Sequence, residues 1–185
     1  MSKRLAKLCF VTKKLLQSRI IMVSEEITTQ SAAITCGLLL LLDAENKQED
    51  ISMYLSSPGG EINAGLAIYD TMQLIKPDVV TICVGQTAST ASMLLASGTR
   101  GKRHCTANST VMVHQLSSSM SGQASDLESY IANVIKLKSL ITRIYMKHCN
   151  KSHNEVNKTL DRDCFMQPQM ALKWGLIDSV LGESV

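Results

Sequence analysis

Hydroxyl side chains are concentrated where this sequence passes from a strand-like to a helix-like pattern. The run VGQTASTASMLLASG, residues 84–98, begins like the end of a strand and continues as an apolar helix. A serine hydroxyl becomes an effective nucleophile only when a neighbouring base removes its proton. Composition leaves Ser89, Thr90 and Ser92 as competing candidates. The run therefore offers a nucleophile without fixing which hydroxyl it is.

The base that such a nucleophile requires has to come from one of four histidines. His114 ends an apolar strand, TVMVHQ, whereas His104 lies in a basic turn and His148 and His153 flank the end of a long helix. A lone histidine at the end of an apolar strand is more often structural than catalytic, so the pattern makes His114 a candidate only. His148 and His153, together with Cys149, do not have the spacing of a zinc site.

Two consecutive glycines add a second chemical feature. Gly59 and Gly60 end the segment SSPGG, where the backbone can approach a ligand closely and direct N–H groups at an anion. Ser89, at a predicted helix start, adds more N–H donors and the positive end of a helix dipole. The two junctions can therefore direct donors at one oxygen. The G-x-S-x-G pattern of nucleophile-elbow hydrolases is absent, since Thr87 and Ala91 occupy its glycine positions.

Alternating helices and strands must hold these groups in place. Apolar periodicity predicts an amphipathic opening helix and further helices over residues 28–44, 62–75, 89–97 and 124–149. Strands are predicted over 51–57, at VVTICVG, as a pair around Cys105 and at STVMVHQ, and near LIDSVL. This alternation favours a single α/β domain, residues 1–185, with a mainly parallel sheet. A second apolar face on the helix over 124–149 predicts a buried partner surface.

Composition restricts the class of protein further. A net charge of +3 without a basic block, together with one Trp, four Tyr and two Phe, argues against nucleic acid as a partner. The longest apolar run, CGLLLLLDA, is shorter than the roughly 20 residues that a membrane span requires. Six scattered cysteines without a C-x-x-C pair indicate reduced thiols and a cytoplasmic location. The first 23 residues are basic and contain no acid, so an organelle matrix is the alternative.

Several segments, in the same order and spacing, carry a resemblance to a known family. They are YLSSPGGEINAGLAIYDTMQLIKPDVVTICVGQTAS, VMVHQ, SGQASDLE, LDRDCFM and ALKWGLIDSVL. Over about residues 14–181 the chain closely resembles the proteolytic subunits of the ATP-dependent Clp protease, serine peptidases of family S14. The resemblance implies the Clp/crotonase fold, an α/β spiral of repeated β-β-α units in which the helix over 124–149 projects as a handle.

The resemblance also implies roles for individual residues. Ser89 in GQTAS matches the nucleophile, His114 in VMVHQ the general base, and Asp163 in DRD the carboxylate that orients the base. The backbone N–H groups of Gly60 and Thr90 match the oxyanion hole, which agrees with the two junctions described above. A serine endopeptidase acting through an acyl-enzyme is therefore expected.

Assembly and partners are implied in the same way. Members of the family form seven-membered rings that stack in pairs through the handles into a tetradecamer and cleave unfolded polypeptides inside it. Gln115 and Arg162 match positions of ring-to-ring contact. No cofactor or metal is expected in this chain, and no ATP-binding motif occurs, so a partner AAA+ unfoldase has to use the ATP. Residues 1–12 are expected to lack most of the family's axial loop.

Two other functions compete with a peptidase. Thr90, Ala91 and Ser92 replace the family's usual Met-Gly-Ala after the serine, and residues 116–119 replace its proline and glycines after HQ. These departures favour a weakly active or non-catalytic paralogue that serves as a structural subunit of a mixed ring. A crotonase-type acyl-CoA enzyme would use similar paired N–H donors but requires no triad. Affinity for coenzyme A would distinguish that alternative.

Overall fold

Helices and strands alternate along the chain in the computed structural model, which describes residues 3–115 and 124–182. Within those ranges the helices are α1 (Lys3–Gln17), α2 (Thr29–Glu45), α3 (Ile62–Leu74), α4 (Thr90–Ala96), α5 (Ala124–Cys149), α6 (His153–Leu160) and α7 (Pro168–Trp174). The strands are β1 (Ile20–Val23), β2 (Ile51–Leu55), β3 (Val79–Cys83), β4 (Gln86–Ala88), β5 (Arg103–Thr106), β6 (Thr110–Val113), β7 (Cys164–Met166) and β8 (Ser179–Leu181). Residues 116–119, where the sequence departs from the family, lie outside the described residues. No helix in the described ranges is long and apolar enough to cross a membrane.

Local sequence signals account for where several elements begin and end. The Thr28 side chain accepts a hydrogen bond from the Ser31 N–H at the start of α2, and the Ser31 side chain accepts one in return from the Thr28 N–H. This capping box satisfies two N–H groups that the helix leaves unpaired. α7 begins with Pro168 and ends at Gly175, whose φ of 90° is readily adopted only by glycine. Local sequence therefore determines where α2 begins and where α7 begins and ends.

The larger sheet is parallel and forms the centre of the fold. Its strand order is β1-β2-β3-β5-β8, and each neighbouring pair runs parallel. Alternating residues of β2 are buried, among them Ile51, Met53 and Leu55. Burial of this face and of the helices packed on it provides the main hydrophobic stabilisation. The predicted α/β class with a parallel sheet is confirmed.

A second sheet of three strands was not predicted. Its order is β4-β6-β7, with β4 parallel and β7 antiparallel to β6. The predicted pairing of the strands at Cys105 and at STVMVHQ is wrong, because β5 pairs with β3 and β8. The short connection between β5 and β6 suggested a hairpin, but the Thr110 N–H donates to the Gly85 carbonyl and aligns β6 with β4. This smaller sheet positions the site described below.

The long helix α5 is only partly packed against the rest of the chain. Ile144 and Tyr145, near its C-terminal end, are buried against the core. Ile131 and Ile135, nearer its N-terminal end, are exposed. Of the two residues that define the predicted second apolar face, Ile135 is exposed in the single chain, whereas Leu140 is partly buried against the core. The face is therefore only partly uncovered.

A buried ion pair ties the larger sheet to the turn before β8. The Arg103 guanidinium lies 2.6 Å from an Asp178 carboxylate oxygen, and the two side chains are 5% and 20% exposed. Burial raises the pKa of the Asp178 carboxyl, but the hydrogen bonds and positive charge of Arg103 lower it more, and the net pKa lies below the ordinary value. The carboxylate form therefore stabilises the fold.

Replacing Asp178 with asparagine should lower the free energy of unfolding at pH 7 by about 2 to 3 kcal/mol, because Arg103 loses its charged partner. A carboxyl with a lowered pKa contributes fully above its unfolded value of about 4 and loses that contribution as the pH falls. Urea unfolding between pH 7 and pH 3 should therefore show the difference between wild type and Asp178→Asn shrinking below about pH 4. The exposed Asp78→Asn is the control. A difference that stays constant over this range would contradict the assignment.

Candidate active site

Three strand ends meet at one edge of the smaller sheet, and each carries a residue singled out by the sequence. Ser89 directly follows β4, His114 directly follows β6, and Asp163 directly precedes β7. Because β4 runs parallel and β7 antiparallel to β6, these three positions fall at the same edge. The middle strand carries His114, which therefore lies between the other two. Sheet pairing thus brings together residues that are distant in the sequence.

The side chains at this edge are in contact. His114 Nε2 lies 2.9 Å from Ser89 Oγ, at hydrogen-bond distance. On the other side of the ring, His114 Nδ1 lies 3.3 Å from Asp163 Oδ1. With the ring proton on Nδ1, Nε2 accepts the Ser89 hydroxyl proton while the carboxylate faces the Nδ1 proton. The His114 side chain is 26% exposed and that of Asp163 65% exposed. The arrangement suits proton transfer from Ser89 to His114.

The backbone at Ser89 has an unusual conformation. Its φ of 56° and ψ of −126° are rarely adopted by a residue with a side chain. The strand β4 ends immediately before Ser89 and α4 begins immediately after it, so the chain makes a sharp turn. A turn of this kind exposes the side chain of its central residue, even though the G-x-S-x-G pattern is absent. Gly59 allows it, because a Cβ there would lie 2.7 Å from the Ala88 carbonyl oxygen and Ser89 Cβ.

The two predicted oxyanion donors lie beside Ser89. Gly60 and Thr90 line the same cleft as Ser89 and His114. Neither the Gly60 N–H nor the Thr90 N–H donates to another group within residues 3–115 and 124–182. The Thr90 hydroxyl donates to the Gly60 carbonyl at 3.0 Å, which joins the two junctions. Two backbone donors are therefore free beside the Ser89 hydroxyl, and whether they bind an oxyanion stays a prediction.

The competing hydroxyls have other partners. Ser92 is buried, and its hydroxyl donates to the Ser89 carbonyl at 2.6 Å. The Thr90 hydroxyl is engaged with Gly60. Ser89 is therefore the one of the three whose hydroxyl contacts His114.

A cleft opens in front of these groups. Its volume is about 350 Å³. Its walls combine apolar and polar side chains from α3, α4, α5 and α6 and from the junctions around Ser89. Thr142, Tyr145 and Asn157 are among the polar side chains, and Ile62, Ile141 and Leu160 are among the apolar ones. A cleft of mixed lining and this size accommodates one or two side chains of an extended peptide.

The two residues predicted to form ring-to-ring contacts lie near Asp161. The Gln115 side-chain amide donates to the Asp161 carbonyl at 3.4 Å. Arg162 is almost fully exposed and lies near Asp161. His104 lies on β5, where its Nδ1 is 2.7 Å from Ser179 Oγ, and it does not line the cleft. In the described part of the chain, no cluster of three or more His, Cys, Asp or Glu residues could hold a metal ion.

Sequence reasoning missed Tyr145 as a residue of this region. Its hydroxyl lies 3.0 Å from Ser92 Oγ, and its ring lines the cleft. Tyr145 follows four residues after Ile141 on α5, which is compatible with burial but does not indicate this contact. Thr142 and Asn157, which face each other at 3.3 Å, were missed for the same reason. Periodicity reports the buried face of a helix and not the polar partner that this face meets.

A comparison with models of known protein families gives one match over nearly the whole chain. The matching family is described as Clp protease, and the match covers residues 3–184. It includes both junctions, the strand ends at Ser89, His114 and Asp163, and the long helix α5. The matched region therefore contains every residue of the site described above.

Proposed function

Because the chain belongs to the Clp protease family, a family of peptidases, we propose that it is a serine endopeptidase subunit that cleaves unfolded polypeptides. The contact that carries this proposal is the 2.9 Å distance between His114 Nε2 and Ser89 Oγ. A hydroxyl at this distance from an imidazole can lose its proton as it attacks a carbonyl. Ser89 is the nucleophile, His114 the general base, and Asp163 orients His114.

The proposed reaction proceeds in two steps through an acyl-enzyme. Ser89 Oγ attacks the carbonyl carbon of the scissile bond while its proton moves to His114 Nε2. The carbonyl oxygen becomes negatively charged and accepts hydrogen bonds from the Gly60 and Thr90 N–H groups. His114 then gives the proton to the leaving amine as the C–N bond breaks. A water molecule attacks the ester, again with His114 as base, and restores Ser89.

Assembly is part of the proposed function. Members of this family usually form oligomeric rings. We expect seven-membered rings, paired into a tetradecamer through α5, with copies of this chain or with a paralogous subunit. Exposed apolar side chains on two helices support this, namely Ile34, Leu40 and Leu41 on α2 and Ile131 and Ile135 on α5. The ATP would be used by a partner AAA+ unfoldase that feeds polypeptide into the chamber.

One observation favours a second candidate, a weakly active or non-catalytic subunit of a mixed ring. The Asp163 side chain is 65% exposed in the single chain. Water screens an exposed carboxylate, which reduces its ability to fix the orientation of His114. A neighbouring subunit that covers Asp163 would exclude this water and strengthen the interaction of the carboxylate with His114. Activity would then depend on assembly.

A fluorophosphonate probe distinguishes these candidates. In the folded wild-type chain, Ser89 Oγ should attack phosphorus, displace fluoride and retain a covalent adduct, because His114 accepts its proton. Fragment-ion mass spectrometry should place the adduct on Ser89 rather than on Ser92 or Ser97. The same preparation should hydrolyse a short fluorogenic peptide. Native mass spectrometry should report the size of the assembly in parallel.

The heat-unfolded chain is the control, since it keeps the serine and loses the contact with His114. Complete rings that show neither adduct nor hydrolysis would support the structural subunit and contradict the proposed peptidase. Binding of coenzyme A without an adduct would instead support the acyl-CoA enzyme.

A further inference from the structure

The carbonyl group of Ser89 is held by a neighbouring hydroxyl. Ser92 Oγ donates to the Ser89 carbonyl oxygen at 2.6 Å. The same oxygen accepts the backbone N–H of Ser92 at 3.0 Å and that of Met93 at 3.3 Å. Three donors therefore converge on the peptide group that follows the strained Ser89 residue. That peptide group also carries the N–H of Thr90.

The hydroxyl of Tyr145 completes this arrangement from another helix. Tyr145 Oη lies 3.0 Å from Ser92 Oγ. A serine hydroxyl has one hydrogen, and that of Ser92 is directed at the Ser89 carbonyl, so Tyr145 must be the donor in this contact. The result is a directed chain of hydrogen bonds from Tyr145 to Ser92 to Ser89. It links α5 to the turn at which Ser89 lies.

Tyr145 is well fixed as the outer end of this chain. The residue is buried, and its ring packs edge-on against Trp174 with the ring centroids 6.1 Å apart. Burial raises the pKa of the Tyr145 hydroxyl far above its ordinary value, so it remains a proton donor over the whole working pH range. Ser92 is buried as well. Because both residues are buried, each hydroxyl is largely shielded from solvent, which favours one orientation of each hydrogen bond.

We propose that Ser92 and Tyr145 are positioning residues that hold the Ser89 turn in its reactive conformation. This inference rests on the proposed peptidase function. A positive φ at a residue with a side chain persists only where surrounding contacts enforce it. Holding the Ser89 carbonyl fixes the peptide plane between Ser89 and Thr90. That plane sets both the direction of the Ser89 side chain and the aim of the Thr90 N–H.

The consequence for the reaction follows from this geometry. A small rotation of the peptide plane moves Ser89 Oγ away from His114 Nε2 and turns the Thr90 N–H away from the oxyanion. Both contacts matter more in the transition state than in the bound substrate. Loss of the chain of hydrogen bonds should therefore lower kcat and leave KM nearly unchanged.

The test compares Ser92→Ala, Tyr145→Phe and the double variant with wild type. Ser92→Ala should reduce kcat and the rate of fluorophosphonate labelling about tenfold, as expected for the loss of one buried hydrogen bond. Tyr145→Phe should reduce both about threefold. Because Tyr145 acts through Ser92, the double variant should be no slower than Ser92→Ala.

Two matched controls separate positioning from general loss of stability. Ser97 lies at the other end of α4, and its hydroxyl donates to the Met93 carbonyl at 2.6 Å. Tyr69 is partly buried, and its hydroxyl contacts His148 at 3.2 Å. Ser97→Ala and Tyr69→Phe should lower the urea midpoint by amounts similar to Ser92→Ala and Tyr145→Phe without slowing labelling. If Ser92→Ala fails to fold, the labelling rate of Tyr145→Phe is compared with that of Tyr69→Phe. Slower labelling in Tyr145→Phe alone would support the positioning role, and equal rates would contradict it.

The outcomes also separate this inference from the proposed function. A labelled wild type whose Ser92→Ala variant reacts no more slowly than Ser97→Ala would overturn the positioning role alone. Additive effects in the double variant would overturn the hydrogen-bond chain. A wild type that is never labelled would overturn the peptidase itself. In that case a crystal structure of Ser92→Ala still tests the positioning, which fails if Ser89 keeps its positive φ.

Discussion

Replacing Ser89 with alanine should reduce the rate of peptide hydrolysis by about 10⁴- to 10⁶-fold while the chain remains folded. The expected loss is large because the proposed mechanism assigns the covalent bond with the substrate to this hydroxyl, and within residues 3–115 and 124–182 it is the hydroxyl that contacts His114. Ser92 cannot, since its hydroxyl is buried and directed at the Ser89 carbonyl. A small residual rate is expected from the free Gly60 and Thr90 N–H groups alone. Hydrolysis of a fluorogenic peptide, with the urea midpoint measured alongside, tests this.

Ser97→Ala is the matched control for the nucleophile. It removes a hydroxyl from the same helix, at the end farther from His114, and should leave the hydrolysis rate within about twofold of wild type. The assignment would be wrong if Ser89→Ala kept full activity while Ser92→Ala lost it. It would also be wrong if Ser89→Ala lowered activity only in proportion to lost stability.

Replacing His114 with alanine should have a similarly large effect, about 10⁴- to 10⁶-fold on kcat. The Ser89 hydroxyl then has no acceptor for its proton, since His114 Nε2 is the group at 2.9 Å. Fluorophosphonate labelling of Ser89 should fall with it, although the serine is still present. Because the two residues act as a unit, the double variant with Ser89→Ala should be no slower than either single variant.

His104→Ala is the control for removing an imidazole. His104 lies on β5 and contacts the Ser179 hydroxyl at 2.7 Å, away from the cleft. In the His104→Ala variant, the fluorophosphonate probe should label Ser89 at the wild-type rate. Wild-type labelling in His114→Ala would show that another base activates Ser89, and the proposed mechanism would fail.

Much of the secondary structure could be predicted from sequence alone. The helix predicted over 124–149 is α5 with the same limits, and the helices over 28–44 and 62–75 agree with α2 and α3 within one residue. These segments are long and periodic, so local sequence determines them. The strands β1, β4 and β7 were missed. They have four, three and three residues, which is too short for a reliable alternating pattern.

The pairing of strands could not be predicted in the same way. β5 and β6 are joined by a few residues yet belong to different sheets. Each pairs with strands that are distant in the sequence, and periodicity contains no information about such partners. The resemblance to Clp proteases supplied the fold that local reasoning could not, and the family match over residues 3–184 confirms it.

For the site, the sequence by itself determined the available chemistry, namely a hydroxyl-rich strand-to-helix junction, a histidine ending an apolar strand and a pair of glycines. It did not decide which hydroxyl, that of Ser89, Thr90 or Ser92, is the nucleophile. Only the resemblance implied Ser89 as the nucleophile and Asp163 as the carboxylate that orients the base. Tertiary structure decided which hydroxyl meets His114. The reason is physical, since the order β4-β6-β7 brings three strand ends to one edge, while burial directs the Ser92 hydroxyl to the backbone and Tyr145.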